Sequence, residues 1–412
     1  MPDTILITGC TLLTSAAASL NYNYYVSIAN GIIQETGPMA ELPALTAVTV
    51  IDAGDRLVMP GLINGHNHCA MSLFRGLADD YDLTTWLHEH IFPAEAAHVS
   101  LEMVYWCTKL AAAEMILSGT TSVADGYFFS GKAAEALNDS GMRAVIAHGI
   151  VDFPAPNVPD PSKNIKVVET FIDSWLDHSP RISPGVFAHA PYTCSPNTLQ
   201  RAKQLADHKG VRFFIHIAET LNEQSMIIDP QGTSPIKHLA KLGVLDENTV
   251  CVHAVWLDDE DLDILSTSKA SVVTCPQSNL KLASGTARVD EMVKRNIPVG
   301  LGTDGCASNN SLDMFREMDM LAKIQKSATA DATAMGARKV LECATTSGGT
   351  ILGLPGCGTI QPGGAADLII VDTNQMHLTP LYNQDLLVYA ATGSYVHTAI
   401  IDGRVVMHER QI

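Results

Sequence analysis

The chain has 412 residues, of which 46% are hydrophobic and 17% charged, so its composition predicts a folded protein and excludes extended disorder. Its 44 acidic residues outnumber 26 Lys and Arg, which gives a formal net charge of -18. An acidic surface repels phosphate backbones and anionic lipid, so we expect neither nucleic acid nor membrane as a partner.

Both ends of the chain show short strand-like segments. The N-terminal ones are ILITGCTLL, YYVSIANGIIQETG with an Asn-Gly turn, and AVTVIDAGDRLV, while GGAADLIIVD and YVHTAIIDGRVVM lie near the other end. We expect the two ends, residues 1–57 and 358–412, to pair into one small β-sandwich domain.

The intervening residues, 58–357, alternate short apolar strands with helices. Strands are predicted at residues 57–64, 120–125, 143–150, 185–190, 212–218, 249–255, 271–275 and 298–303. Ser-Pro pairs at 195–196 and 234–235 are typical helix starts, and Gly210 and Gly243 are typical helix ends. Eight β-then-α units predict an α/β fold, a (β/α)8 TIM barrel that serves as the catalytic domain.

The segment PGLINGHNH ends the first barrel strand with two histidines, His66 and His68. In an extended segment, side chains at i and i+2 point to the same side, so both imidazoles can reach one metal ion. The alternative is a pair of hydrogen-bonded loop histidines, and the H-x-H pattern alone does not decide between the two.

Other polar residues follow the ends of later strands, where barrel enzymes place their chemistry. They are His189 after strand four, His216 and Glu219 at strand five, His253 at strand six and Asp304 at strand eight. Three imidazoles and a carboxylate suit one divalent ion, Zn²⁺ or Fe²⁺, and leave a position open for water. We therefore predict His66, His68, His216 and Asp304 as metal ligands, which leaves His253 and Glu219 for proton transfer.

The nine cysteines are scattered and never in C-x-x-C spacing, which predicts reduced thiols.

The N-terminal segment MPDTILITGC lacks a basic region and a full apolar region, and no apolar run approaches the ~18 residues needed to span a bilayer. We expect a cytoplasmic protein.

Six ordered motifs resemble the amidohydrolase superfamily: PGLINGHNH, HIAE, HAVWLDDEDL, CPQSNLKLASG, GTDGCASNNSLDMF and PGGAADLIIVD. They are most similar to the 5'-methylthioadenosine/S-adenosylhomocysteine deaminases, and the resemblance covers essentially the whole chain. It implies a hydrolase that cleaves C–N bonds in cyclic amidines, with one metal ion per subunit, and a homo-oligomer. Binuclear relatives carry Lys or Glu at strand four, where this chain has FAHAPYT, which favours a single metal.

The resemblance also implies a mechanism in which metal-activated hydroxide attacks the amine-bearing carbon of adenine. Glu219 would protonate the ring nitrogen and then the departing amine, while His253 and Asp304 accept the proton of the water. Glu95 would accept hydrogen bonds from the ribose diol, and His189 would contact the purine. Substrates would be 5'-methylthioadenosine, S-adenosylhomocysteine or adenosine.

Two further residues have open assignments. Trp86 is either a core residue or a stacking platform for substrate, and Ser308 either lines the pocket or caps the next helix.

The loop after strand three, residues 148–162, has no Arg or Lys to meet a homocysteine carboxylate. This favours methylthioadenosine or adenosine over S-adenosylhomocysteine.

Two other functions remain open at this stage. The same site could act on another aromatic ring, such as guanine, a pterin, cytosine or a chlorotriazine, and ammonia release from a panel of substrates would distinguish these. A catalytically inactive scaffold is a hypothesis of a different class, which predicts that a ligand or the acid is missing. All six positions, the four predicted metal ligands together with Glu219 and His253, are filled in this sequence.

Overall fold

The computed structural model describes residues 4–43 and 49–412, with the side chains of 229 and 230 excepted. The first two residues of the predicted strand 47–58 lie outside this part. The described strands are β1 Thr4–Leu12, β2 Asn21–Ala29, β3 Ile32–Pro38, β4 Thr49–Asp52, β5 Leu57–Pro60, β6 Leu62–Asn67, β7 Thr120–Tyr127, β8 Arg143–Ile150, β9 Ile182–Ala188, β10 Phe213–Ile217, β11 Thr249–His253, β12 Ser271–Thr274, β13 Val299–Leu301, β14 Leu368–Val371, β15 Val396–Ile401 and β16 Arg404–His408.

The α-helices are α1 Leu83–Thr85, α2 Phe92–His98, α3 Leu101–Leu117, α4 Ser130–Asp139, α5 Asn164–Trp175, α6 Pro196–Lys209, α7 Leu221–Gln231, α8 Pro235–Leu242, α9 Asp259–Ser268, α10 Pro276–Lys281, α11 Val289–Lys294, α12 Cys306–Asn309, α13 Met314–Thr329, α14 Ala337–Cys343, α15 Thr346–Leu352 and α16 Asp385–Ala390. A wider π-helical turn, Trp86–Ile91, joins α1 to α2. Short 3₁₀ segments occupy Met39–Glu41, Cys69–Phe74, Pro161–Lys163, Met376–Leu378 and Gly393–Tyr395.

Strands β6 to β13 form a parallel barrel in chain order, with helices between successive strands. The strands are buried, as expected for a sheet covered on both faces. The backbone N–H of Asp304 donates to the carbonyl of His66 at 3.0 Å, which links the last strand to the first at the carboxyl ends. The predicted (β/α)8 barrel is confirmed.

Helix ends follow the predicted signals. Ser195 caps α6 by accepting the N–H of Thr198, and Gly210 ends it with φ of 66°. Ser234 caps α8, which ends at Gly243 with φ of 70°. Because glycine has no Cβ, it adopts this left-handed conformation without strain, so both helices end where the sequence indicates.

The second sheet combines both ends of the chain, as predicted. Its strand order is β16-β15-β14-β5-β1-β2-β3, with β4 also paired to β1. Backbone hydrogen bonds join Ile33 to Gly363 and Gly364, so the sheet curls back on itself around one apolar core. The domain limits 1–57 plus 358–412 and 58–357 stay a prediction; β5, at the junction, pairs within the chain-end sheet and leads directly into β6.

Two further observations bear on expectations from the sequence. All nine cysteines are free thiols in the structure. Within residues 4–43 and 49–412, no helix combines the length and apolarity that crossing a membrane requires.

Candidate active site

The strand ends bring three of the predicted histidines and Asp304 together. The Nε2 atoms of His66 and His216 are 3.2 Å apart. Asp304 Oδ1 lies 3.3 Å from His66 Nε2 and 3.4 Å from His68 Nε2. The three imidazoles offer ligand atoms that all lie within 4.8 Å of one another. Four side chains from three strands therefore converge on one point.

This cluster fits a tetrahedral cation. A zinc ion with bonds of about 2.0–2.1 Å to nitrogen keeps its ligand atoms about 3.3 Å apart, close to the separations around His66. Burial lowers the pKa of His66 to about 4. Burial, reinforced by the neighbouring imidazoles, lowers the pKa of His216 well below its usual value. Both rings are thus neutral near pH 7 and have a lone pair free for a divalent ion.

His68 is oriented by a backbone contact. Its Nδ1 donates to the carbonyl oxygen of Gly126, at the end of β7. A carbonyl accepts and cannot donate, so the proton must be on Nδ1. This leaves Nε2, the atom that faces Asp304, bare for metal binding.

Asp304 is held by a dense set of donors. The hydroxyls of Ser278 and Ser308 each donate to Oδ2 at 2.7 Å, and the N–H of Gly305 donates to Oδ1 at 2.8 Å. Burial acts to raise the pKa of Asp304, but the hydrogen bond to His66 and the nearby imidazoles outweigh it and hold that pKa well below the usual value. The carboxylate is therefore ionised, as a metal ligand must be.

Glu219 and His253 form a second pair beside the cluster. Glu219 Oε2 lies 3.7 Å from His253 Nε2, and the hydroxyl of Ser284 lies 3.4 Å from Oε1. Burial raises the pKa of Glu219. Burial acts to lower the pKa of His253. The negative charges of Glu219 and Asp304 act in the opposite direction and contribute to a net pKa that is raised. Both upward shifts favour the protonated form of the side chain.

His253 is oriented by Asn279. The side-chain oxygen of Asn279 accepts from His253 Nδ1 at 2.9 Å. The other ring nitrogen, Nε2, consequently faces Glu219. Sequence reasoning did not single out Asn279 or Ser278, although both lie in the CPQSNLKLASG motif on α10.

A cavity of about 540 Å³, large enough for a nucleoside, is lined by His68, His216, Glu219, His253 and Asp304. The cavity also contacts all of the predicted substrate residues: Glu95, His189, Trp86 and Ser308. Ser308 lies within α12, and the next long helix, α13, is capped by Asp313. The structure therefore excludes the capping alternative for Ser308.

Of the predicted substrate residues, Glu95 and Trp86 are buried and His189 is partly buried. Glu95 accepts from the hydroxyl of Tyr127 at 2.6 Å, and burial raises the pKa of Glu95 to about 7. His189 Nδ1 contacts the Thr193 hydroxyl at 2.9 Å, and burial lowers the pKa of His189 to about 3. Trp86 is 6% exposed, and its indole N–H has no hydrogen-bond partner within the described part of the chain. That N–H is available to a ligand.

Glu223 is a further residue that the sequence reasoning missed. Its two carboxylate oxygens accept the backbone N–H groups of Ala218 and Glu219 at 2.9 and 2.8 Å. Ala218 has a left-handed φ of 51°, which disfavours a residue with a Cβ. Glu223 thus holds the backbone that presents Glu219. Its place four residues after Glu219, on the first turn of α7, was the only signal in the sequence.

The chain belongs to the amidohydrolase family, whose profile matches residues 57–406. The fold, with its imidazole cluster at the strand ends, agrees with this membership.

Individual relatives are similar over nearly their full length. The chain is 45% identical over 413 residues to the 5-methylthioadenosine/S-adenosylhomocysteine deaminase of Syntrophobacter fumaroxidans, covering 100% of this chain and 94% of that one. It is 42% identical over 386 residues to the 5'-deoxyadenosine deaminase of Methanosarcina mazei, covering 92% and 88%. A zinc-bound adenosine deaminase structure from Xanthomonas campestris superposes with a TM-score of 0.96 at 34% identity, covering 99% and 94%.

Proposed function

We propose that this protein is a metal-dependent hydrolase that deaminates the adenine ring of a nucleoside and releases ammonia and the inosine analogue. The observation that supports it most is the pairing of the imidazole cluster with Glu219 and His253 inside one nucleoside-sized cavity. The names of the relatives indicate adenosine, 5'-deoxyadenosine, 5'-methylthioadenosine or S-adenosylhomocysteine as the substrate.

His66, His68, His216 and Asp304 are the residues that would hold the cation. A bound divalent cation acts as a Lewis acid and lowers the pKa of a coordinated water towards neutrality. Zinc is the ion we propose, because imidazole nitrogen and carboxylate oxygen are among its usual ligands. The adenosine deaminase from Xanthomonas campestris contains zinc, which supports this choice.

Glu219 serves as the proton shuttle. In its protonated form it donates to the ring nitrogen beside the amine-bearing carbon, while water adds to that carbon. The ring is then no longer aromatic at that carbon, and the amine can depart once it is protonated. Glu219, ionised by the first transfer, accepts the proton of the newly added hydroxyl group and delivers it to the amine, and the proton held at His253 and Asp304 then restores the protonated form of Glu219. Burial raises the pKa of Glu219, which favours its protonated form.

His253 and Asp304 act on the attacking water. Each presents an acceptor atom next to the cluster: Nε2 of His253 and the carboxylate of Asp304. They accept the proton that the water loses and align the oxygen with the ring carbon. Asn279 fixes the ring of His253 for this purpose, and the two serines fix Asp304.

The remaining residues of the cavity hold the nucleoside. Glu95 accepts hydrogen bonds from the ribose diol, with Tyr127 holding its carboxylate in place. His189 and the free indole N–H of Trp86 contact the purine, and Ser308 lines the end of the cavity near Asp304. Each of these assignments is part of the proposal.

Ammonia release from a panel of compounds tests the proposal. The zinc-loaded protein should release ammonia from adenosine and its 5'-substituted analogues. Turnover of guanine, cytosine, a pterin or a chlorotriazine without turnover of any nucleoside would overturn it. The expected homo-oligomer and cytoplasmic location stay predictions, which light scattering of the purified protein and cell fractionation would test.

A further inference from the structure

One wall of the cavity is apolar. It is formed by Phe92 on α2 and by the loop after β8, through Val151, Phe153, Pro154 and Pro156. The rings of Phe92 and Phe153 lie with centroids 5.9 Å apart, so the two segments meet across this wall. His68, His216 and Glu219 also line this cavity, near the carboxyl ends of β6 and β10.

The placement of the substrate follows from the proposed function. The amine-bearing carbon of adenine must lie at the imidazole cluster, and Glu95 receives the ribose diol. Phe92 and Glu95 are three residues apart on α2 and therefore lie on the same face of that helix. A group attached to the 5' carbon of the ribose consequently extends beyond Glu95 towards Phe92 and Phe153.

No basic side chain meets that group. Among the described residues that line the cavity there is neither lysine nor arginine, while Glu95, Glu219 and Asp304 contribute carboxyl groups. Phe153 is 38% exposed, so a carboxylate placed against this wall loses part of its hydration, and it gains no charged partner in return. It is also repelled by any of these acids that is ionised.

Three basic residues from neighbouring segments are already paired. Arg143, in the strand before this loop, is bidentate with Asp367 near the chain-end sheet. Lys281, next to the lining residue Leu282, contacts Asp79 and Asn310. Arg75 pairs with Glu114. Recruiting any of them would break a contact that the structure makes.

We infer that the cavity selects adenosines with an apolar 5' substituent, such as methylthio or hydrogen, and discriminates against a zwitterionic amino-acid tail. This inference rests on the proposed function and narrows its substrate class. S-adenosylhomocysteine should therefore be a poor substrate, although the relative from Syntrophobacter fumaroxidans is named for it as well.

The experiment compares kcat/KM for adenosine, 5'-deoxyadenosine, 5'-methylthioadenosine, 5'-butylthioadenosine and S-adenosylhomocysteine with the zinc-loaded protein. The butylthio compound matches the length of the homocysteine tail without its charges. We expect it to exceed S-adenosylhomocysteine by about 100-fold or more, a difference in the range for a desolvated, unpaired charge. Phe153→Arg should reduce the ratio of kcat/KM for the butylthio compound to kcat/KM for S-adenosylhomocysteine at least about tenfold. Phe153→Leu should leave this ratio unchanged.

The outcomes separate the two hypotheses. If kcat/KM for the butylthio compound and for S-adenosylhomocysteine agree within threefold, the charge-based selectivity is overturned, whether both compounds react fast or slowly. Turnover of adenosine in the same experiment would still uphold the proposed function. Absence of ammonia from all five nucleosides would overturn the proposed function and this inference with it. Binding of the same two ligands to Glu219→Gln, measured by calorimetry, should show the same order as turnover.

Discussion

Arg143 and Asp367 join the barrel to the chain-end sheet through two parallel hydrogen bonds. Nε donates to Oδ2 at 2.5 Å and Nη2 donates to Oδ1 at 3.1 Å, between the first residue of β8 and the residue before β14. Both side chains are buried. Arg143, the only arginine in β8, is thus paired with Asp367 at the strand end opposite the cavity.

Asp367→Asn should destabilise the protein by about 3–5 kcal/mol, because it leaves a buried guanidinium without its counter-charge. Thermal unfolding of the variant and of the wild type would show the difference as a lower midpoint. The double variant Arg143→Met/Asp367→Leu should recover much of the loss, since it removes both charges. An unchanged midpoint in Asp367→Asn would contradict the assigned importance of the pair.

Glu219→Gln should lower kcat by about 10²- to 10⁴-fold, because an amide cannot transfer the two protons. The metal content and the affinity for a nucleoside should stay within threefold of wild type. Elemental analysis and calorimetry provide these two measurements. Glu102→Gln, at an exposed position of α3, is the matched control and should leave kcat unchanged. Undiminished turnover in Glu219→Gln would remove this residue from the mechanism.

Glu223→Gln should lower kcat by about tenfold or more while KM changes little. The amide offers only one acceptor, so one of the backbone N–H groups of Ala218 and Glu219 loses its partner and Glu219 shifts. Glu247→Gln, at an exposed position, is the control. Reduced stability with unchanged kcat would instead indicate that Glu223 acts only as a structural element of α7.

Removal of the metal should abolish turnover and lower the thermal midpoint, because a bound cation stabilises the folded state that holds it. Dialysis against a chelator followed by Zn²⁺ or Fe²⁺ would show which ion restores activity. Elemental analysis should find about one ion per chain, and His216→Ala should retain less of it. Full activity of the metal-free protein would contradict the assignment of the imidazole cluster.

Nucleoside affinity should depend on pH through Glu95. Burial raises the pKa of Glu95 to about 7, so the carboxylate that we propose as the acceptor for the ribose diol is present above that pH and is lost as the pH falls below it. We expect 1/KM for adenosine to fall by up to about tenfold per pH unit below 7. A dideoxyribose analogue and the variant Glu95→Gln should both lack this dependence. Identical slopes for adenosine and the analogue would argue against a diol contact at Glu95.

The barrel could be predicted from the sequence because buried parallel strands are continuous apolar runs. The predicted strand 143–150 coincides with β8. The predicted strand 57–64 is instead two strands, β5 and β6, separated by Gly61. A Cβ at this position would lie 2.1 Å from the Thr121 hydroxyl, so only glycine fits there. That contact depends on the neighbouring strand and is not evident in the local pattern.

The convergence of the site residues was also predictable, because strands of a parallel barrel all end at one rim. The positioning contacts were not. Tyr127 on β7 reaches Glu95 on α2, and Asn279 on α10 reaches His253 at the end of β11. Such pairs are distant in sequence, and residues of their type are common in strands and helices without this role. Their function follows only from the geometry.

The pairing of β5 with β14 has a consequence for how the protein matures. These two strands come from opposite parts of the chain, and β5 leads directly into β6, which carries His66 and ends just before His68. During translation β5 therefore lacks one of its two neighbouring strands until the C-terminal part has left the ribosome. We expect nascent chains that end before β14 to bind metal poorly, so that a competent metal centre marks a completed polypeptide.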